Sequence, residues 1–390
     1  MPNGPITDDL ILFSASNRSK PGSYKPKEME NEKDPLNPNE PEQEKSQEPE
    51  ELENPSLREP GPEYQPPFAV FSPEQEVGLV HEVSGKVKQE LHKVLIGQDE
   101  LLDLLLAGLF IGGHVLVEGV PGIAKTLTAK LLSQTLHVEF SRIQFTPDLM
   151  PTDVLGTSVF NLKTSEFTVN YGPIFSNIVL IDEINRAPAK TQSALFEVME
   201  EFQVTLDGKT FPMDNPFFVI ATQNPIEQEG TYRLPEAQLD RFLFKINLRY
   251  PELEEEKAIL RRFRKDFRLQ VRTSVEAVCT AKDIEACQKL IEQVHIKDEL
   301  LDYIAQIIFQ TRNNGDLFLG ASPRASLAIM KASKAIAAMR GRGFVIPEDI
   351  QYVTYPVLNH RIILTPEREM EGYAATDVIR DIIEGIEVPR

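Results

Sequence analysis

A glycine-rich loop ending in lysine and threonine carries the first chemistry in this sequence. Gly119-Val120-Pro121-Gly122-Ile123-Ala124-Lys125-Thr126-Leu127 directly follows the apolar run His114–Glu118 and opens a helical stretch. Glycines let backbone N–H groups turn toward phosphate oxygens, and a helix N-terminus adds a positive dipole. Lys125 would then hold β- and γ-phosphates, and Thr126 would offer its hydroxyl to Mg²⁺. Strand, loop and helix in that order are the context this pattern requires. One residue departs from it: Ala124 stands where the last glycine is expected, which costs little provided its φ is negative.

A second signal lies at Ile178-Val-Leu-Ile181-Asp182-Glu183, an apolar strand ending in two carboxylates. Asp182 can hold a magnesium ion through water beside the loop, and Glu183 can orient and deprotonate an attacking water. Two solvated acids in a turn are the bland alternative. A third strand, Phe217–Thr222, ends in Gln223-Asn224-Pro225, and ligands of open α/β sheets sit beyond the carboxyl ends of the strands. Asn224 is thereby placed to reach a γ-phosphate or the lytic water, or else it is a turn residue before proline. Arg241 precedes the last strand and could stabilise transition-state charge. In Gly320-Ala-Ser322-Pro323-Arg324, Ser322 reads as a helix N-cap and Pro323 as the first helical residue. A cation in that first turn opposes the helix dipole by roughly 0.3–1 kcal/mol, so Arg324 suggests an anionic partner, either nucleotide phosphate or a nearby Asp or Glu.

Elements that could position these groups alternate from about Pro73. Helical stretches Glu74–Leu95 and Asp99–Phe110 lead to apolar strands at His114–Glu118, Phe140–Gln144, Asn177–Ile181, Phe217–Thr222 and Phe242–Leu248. Strands separated by helices imply an α/β fold with a parallel sheet covered on both faces. Beyond Pro251 helical spacing takes over in Glu252–Phe267, Ala281–Val294, Lys297–Arg312, Ser322–Arg340 and near Pro347–Leu358, so an all-α domain is expected there. Two insertions stand out. Gly156–Gly172 alternates like strands, and Gln203–Phe211 reads as a hairpin turning at Asp207-Gly208.

The 390 residues carry a net charge of −19, which argues against duplex nucleic acid as a partner. Residues 1–75 alone hold 16 acidic against 7 basic side chains and 14 of the 29 prolines. Such a stretch has too little apolar surface to offset ordering entropy, so residues 1–72 are expected to be a disordered tail, solubilising or docking. Cys279 and Cys287 leave no disulfide framework, and the six histidines show no ligand spacing. A cytoplasmic protein is expected on that cysteine count. The apolar patch Leu10–Phe13 is too short for a signal peptide, and Leu101–Val117 is too interrupted to span a membrane.

Six ordered segments resemble the MoxR family of AAA+ ATPases: Gly119–Thr126, Gly172-Pro-Ile-Phe175, Asp182-Glu-Ile-Asn-Arg-Ala-Pro188, Ala221-Thr-Gln-Asn-Pro225, Arg233-Leu-Pro-Glu-Ala-Gln-Leu-Asp-Arg241-Phe and Gly320-Ala-Ser-Pro-Arg324. The resemblance covers Pro73 to the C-terminus. It implies an ATPase core at 73–250, with five parallel strands in the order 5-1-4-3-2, and a lid domain at 251–390. It further implies Asp182 and Glu183 as Walker B residues, Asn224 as sensor 1, Arg241 as arginine finger and Arg324 as sensor 2. Gly97 and Gln98 match the segment lying against adenine, and both insertions match elements that face a central pore. ATP, Mg²⁺, a nucleotide-dependent hexamer and a protein client such as a von Willebrand factor A domain protein come with the resemblance. Two other functions compete with a remodelling ATPase. A nucleotide-binding scaffold would tolerate loss of Glu183 or Asn224, and a nucleic-acid motor would need basic hairpins, whereas Asp207 accompanies Lys209 here.

Overall fold

The computed structural model describes residues 77–120, 122–162, 165–225, 231–232, 234–264 and 275–389. Expectations for residues 1–72, for Pro121, for Arg233, for the start of the helix expected from Glu74 and for the end of the helix expected to Phe267 lie outside them. The described residues open with helices α1 (Gly78–His92) and α2 (Asp99–Phe110), then build five parallel strands. These are β1 (Val115–Glu118), β2 (Phe140–Gln144), β5 (Ile178–Asp182), β8 (Phe218–Gln223) and β9 (Phe244–Asn247). Their order across the sheet is β2-β5-β8-β1-β9. Counted as first to fifth along the chain, this is the expected 5-1-4-3-2 read from the other edge. All five residues of the inner strand β5 are buried, so both faces of the sheet are covered there, which is why β5 reads as a nearly unbroken apolar run, whereas the edge strands β2 and β9 carry polar residues.

Between core strands lie α3 (Lys125–Thr135), the short α4 (Pro151–Leu155), α5 (Ala189–Glu201) and the short α6 (Glu236–Leu239). Both insertions are antiparallel hairpins. In the first, β3 (Gly156–Asn161) pairs with β4 (Glu166–Tyr171), and in the second β6 (Gln203–Leu206) pairs with β7 (Lys209–Pro212). Asp207 and Gly208 have φ of +49° and +78°, as the expected two-residue turn requires. Near the far end of the first hairpin the cross-strand pair Phe160 and Phe167 lies with tilted rings, centroids 5.1 Å apart, and both are exposed.

Beyond Pro251 the fold is helical as expected, comprising α7 (Leu253–Phe263), α8 (Ala281–Gln293), α9 (Asp298–Arg312), α10 (Pro323–Met339), α11 (Pro347–Leu358), α12 (Pro366–Met370) and α13 (Ala375–Glu384). The strict all-α expectation needs one correction. A two-stranded ribbon, β10 (Leu317–Leu319) with β11 (Ile363–Leu364), ties the entry of α10 to the exit of α11. Its strands are too short to show any period. One apolar core joins Leu104 and Phe110 of α2, Phe218 and Phe244 of the sheet, and Ile307, Ile329, Val357 and Ile379 of the C-terminal helices.

Candidate active site

Three consecutive buried residues of β1, Val115 to Val117, anchor the glycine-rich loop to the sheet. A Cβ on Gly119 would come within 2.8 Å of Ile123 and 3.0 Å of Leu248, so only glycine lets the loop lie this close to the exit of β9. Gly122 has φ +89°, a conformation that side chains strain. Ala124 overturns the condition attached to it. Its φ is +57°, left-handed, which costs roughly 1–2 kcal/mol because its Cβ crowds the following carbonyl. The surrounding fold must therefore hold Ala124 in place. Helix α3 begins at Lys125, whose Nζ donates to Gly119 O at 2.6 Å. Thr126 Oγ1 donates to Asp182 Oδ2 at 3.4 Å.

Asp182 closes β5 and is 6% exposed. Its Oδ2 also accepts from Arg142 Nε at 2.6 Å, and its Oδ1 accepts from Thr222 Oγ1 at 3.1 Å. The same Thr222 hydroxyl accepts the Glu183 N–H at 3.1 Å. Glu183 is another left-handed non-glycine residue, with φ +58°. Its Oε2 accepts from Gln144 Nε2 at 2.9 Å and pairs with Arg186 Nε at 3.1 Å. Asn224, 7% exposed, follows β8. Gly122, Ala124, Lys125, Thr126, Leu127, Asp182, Glu183 and Asn224 line one cavity of about 460 Å³, together with Arg142, Gln144 and Thr222.

The segment expected against adenine is bonded to this loop. Gln98 Nε2 donates to Ile123 O at 3.1 Å, while its Oε1 is buried without a hydrogen-bond partner. Gly97 has φ +68°, and a Cβ there would collide with the Glu255 carboxylate. Gln98 (φ +63°), Ala124 and Glu183 thus surround the loop with three strained non-glycine residues, the kind of concentration found where geometry is held for chemistry.

The two arginines lie elsewhere, since neither lines the cavity. Arg241 donates to Phe196 O at 2.9 Å and pairs with Glu200, and Arg324 pairs with the same Glu200 carboxylate at 2.8 Å. Ser322 and Pro323 occupy N-cap and N1 as read, but Ser322 Oγ makes no cap bond. It donates to Asp240 Oδ2 at 3.2 Å instead. Arg142, Gln144, Thr222, Arg186 and Glu200 were not legible as site residues. The sheet register brings the first two in, pairing Gln144 with Asp182.

Chemically, the cavity joins two cations, Lys125 and Arg142, to the N-terminus of α3, which suits a polyphosphate. The Thr126 hydroxyl and Asp182 carboxylate are hard oxygen donors of the kind Mg²⁺ takes, one or two protein ligands beside phosphate oxygens and water. Residues 114–244 match the family described as ATPases associated with various cellular activities, and residues 309–382 match the AAA lid domain. The chain is 46% identical to the uncharacterized protein YeaC of Bacillus subtilis, over 80% of this chain and 96% of that one. It is 44% identical to chaperone MoxR1 of Mycobacterium tuberculosis, over 77% and 81% respectively. A crystal structure assigned as an ATPase, from Cytophaga hutchinsonii, superposes with a TM-score of 0.74 at 43% identity, covering 81% of this chain and 98% of that one. A cavity at the strand ends lined by the phosphate-loop and carboxylate residues, a matched core and lid, and near-half identity over four-fifths or more of two relatives place the chain as an ATP-hydrolysing member of the MoxR family of AAA+ ATPases.

Proposed function

We propose that this ATPase assembles into a ring, most simply a hexamer, and uses ATP hydrolysis to remodel or activate partner protein complexes. In this reading Gly119 to Leu127 hold the triphosphate, Gly97 and Gln98 meet the adenine, and Thr126 and Asp182 hold Mg²⁺, which would offset charge on the phosphates. Glu183 activates the water, Asn224 orients it against the γ-phosphate, and Arg241 and Arg324 act on the nucleotide of a neighbouring copy. The core spans 73–250 and the lid 251–390. A chaperone-like role is supported by the name of MoxR1, the Mycobacterium relative. A protein client, such as a von Willebrand factor A domain protein, fits the exposed aromatic pair Phe160 and Phe167 on the first hairpin. Cytoplasmic location belongs to the same reading; among the described residues no helix is long and apolar enough to cross a membrane.

One observation carries the ring reading: phosphate-binding and water-activating candidates share a cavity, whereas both arginines stand outside it together on Glu200. An arginine finger is worth roughly 10³–10⁵ in rate, so Arg241→Ala should bind ATP and barely hydrolyse it. Glu183→Gln should be inactive through loss of the base. Mixed, an Arg241→Ala site beside a Glu183→Gln subunit has both parts, and ATPase activity should return and rise with protein concentration. Subunits that exchange yet stay inactive would refute the reading.

A further inference from the structure

Glu200 is the penultimate residue of α5, and each of its carboxylate oxygens takes a different arginine. Oε2 pairs with Arg241 Nη1, and Oε1 accepts from Arg324 Nη2 at 2.8 Å. The two arginines come from distant parts of the chain, one between α6 and β9 and the other in the first turn of α10. Nothing in their own elements favours the meeting. Helix α10 has no acidic residue in its first turn to offset Arg324 against the dipole, and two guanidinium groups side by side repel.

Behind them a second carboxylate fixes both backbones. Asp240 Oδ1 accepts from Arg361 Nε at 2.7 Å, and Oδ2 accepts from Ser322 Oγ. Arg361, 4% exposed at its side chain, also donates to the carbonyls of Phe242 at 2.6 Å and Leu243 at 3.0 Å. Backbone on either side of Arg241, and the residue that opens the helix of Arg324, are therefore held at one junction. What remains to be set is where the two guanidinium groups point, and Glu200 touches both. One carboxylate against two arginines leaves a net positive charge, so the pair still attracts phosphate.

We propose that Glu200 is a positioning residue that yokes Arg241 and Arg324 into a single clamp for one γ-phosphate. The proposal rests on the reading that Arg241 serves a neighbouring copy. Glu200 lies outside its own cavity, so Glu200→Ala should bind a fluorescent ATP analogue as the unaltered protein does. Its turnover at saturating ATP should fall about 10²-fold, the cost of misplacing a catalytic group by about an ångström.

Pairwise mixing separates positioning from folding. Glu200→Ala keeps its own base and lacks only a correctly aimed donor pair, so mixing with Glu183→Gln should restore activity. Mixing with Arg241→Ala should not, because both subunits then have faulty donors. Glu200→Gln, which keeps the shape and one acceptor oxygen, should show the same pattern with a smaller loss. It stands in if the alanine variant melts early. Turnover at or above that of the unaltered protein would overturn the proposal, since the carboxylate would then restrain the arginines. So would failure of both Glu200 variants to recover with Glu183→Gln while Arg241→Ala does recover. If Arg241→Ala also fails to recover in exchanging mixtures, the neighbour reading falls and takes the clamp with it.

Discussion

In the proposed reading Lys125 holds the phosphate chain and Glu183 activates the water that attacks it, so their substitutions should separate. Lys125 is the loop's own cation, held on Gly119 O, so Lys125→Ala should abolish tight ATP binding in a fluorescence titration. Glu183→Gln keeps the size and the hydrogen-bonding edge that meets Gln144 but removes the base, so binding should persist while turnover drops by roughly 10²–10⁴-fold. Equal ATPase rates in Glu183→Gln and the unaltered protein would show that another group activates the water. Lys125, Thr126 and Asp182 were readable because each sits at a fixed offset from a strand end, and such offsets are local in sequence. Arg142 and Gln144 were not, because they reach Asp182 and Glu183 only through the parallel pairing of β2 with β5, which no local pattern encodes. Ala124 was misjudged in the opposite sense: sequence shows the residue type, while its left-handed backbone is imposed by the packed loop.

Helix α11 shows how one buried charge can hold an element. Asp349, fully buried at its third position, accepts two bonds from Arg342 at 2.7 Å and one from Arg340 at 2.9 Å. It also accepts the Ile346 N–H at 3.1 Å, closing the helix start. Removing one partner of a buried pair costs about 3–5 kcal/mol. The lower end applies here, because both guanidinium groups reach solvent. Asp349→Ala should thus lose about 3 kcal/mol in urea unfolding, and a loss under 1 kcal/mol would mean that water replaces the carboxylate. Long periodic helices such as Asp99–Phe110, and the one expected near Pro347–Leu358, are legible in the sequence, since a buried face repeats several times within each. Helix α13 lies outside the expected helices, although Val378, Ile379, Ile382 and Ile383 give it a buried stripe at helical spacing. The β10–β11 ribbon offered no such signal.

Stability of the whole molecule should depend on pH through two buried histidines that do not line the cavity. His114 is buried where its Nδ1 accepts the Val219 N–H and its Nε2 donates to Met199 O, and burial pushes its pKa down to about 4. His360, bonded to Phe242 O, is held well below its ordinary value by burial and then by the adjacent Arg361 charge. Below pH 6.5 the unfolded chain takes up these protons and the native chain does not, so stability falls as pH drops from about 6.5 toward 4. Each histidine contributes a slope of about 1.4 kcal/mol per pH unit in that window. His114→Gln should flatten the dependence by about half in melting curves between pH 7.5 and 5, and an unchanged slope would assign it to other groups. His360 also belongs to the contact between the last strand and the C-terminal helices, where the apolar core runs through without a break. A hinge needs a seam of low resistance, and this continuity removes one from between strand and helices. Within an assembly of such copies, each copy would act as a stiff link. On the proposed ring reading, any stroke released by hydrolysis would be taken up at the joints between links.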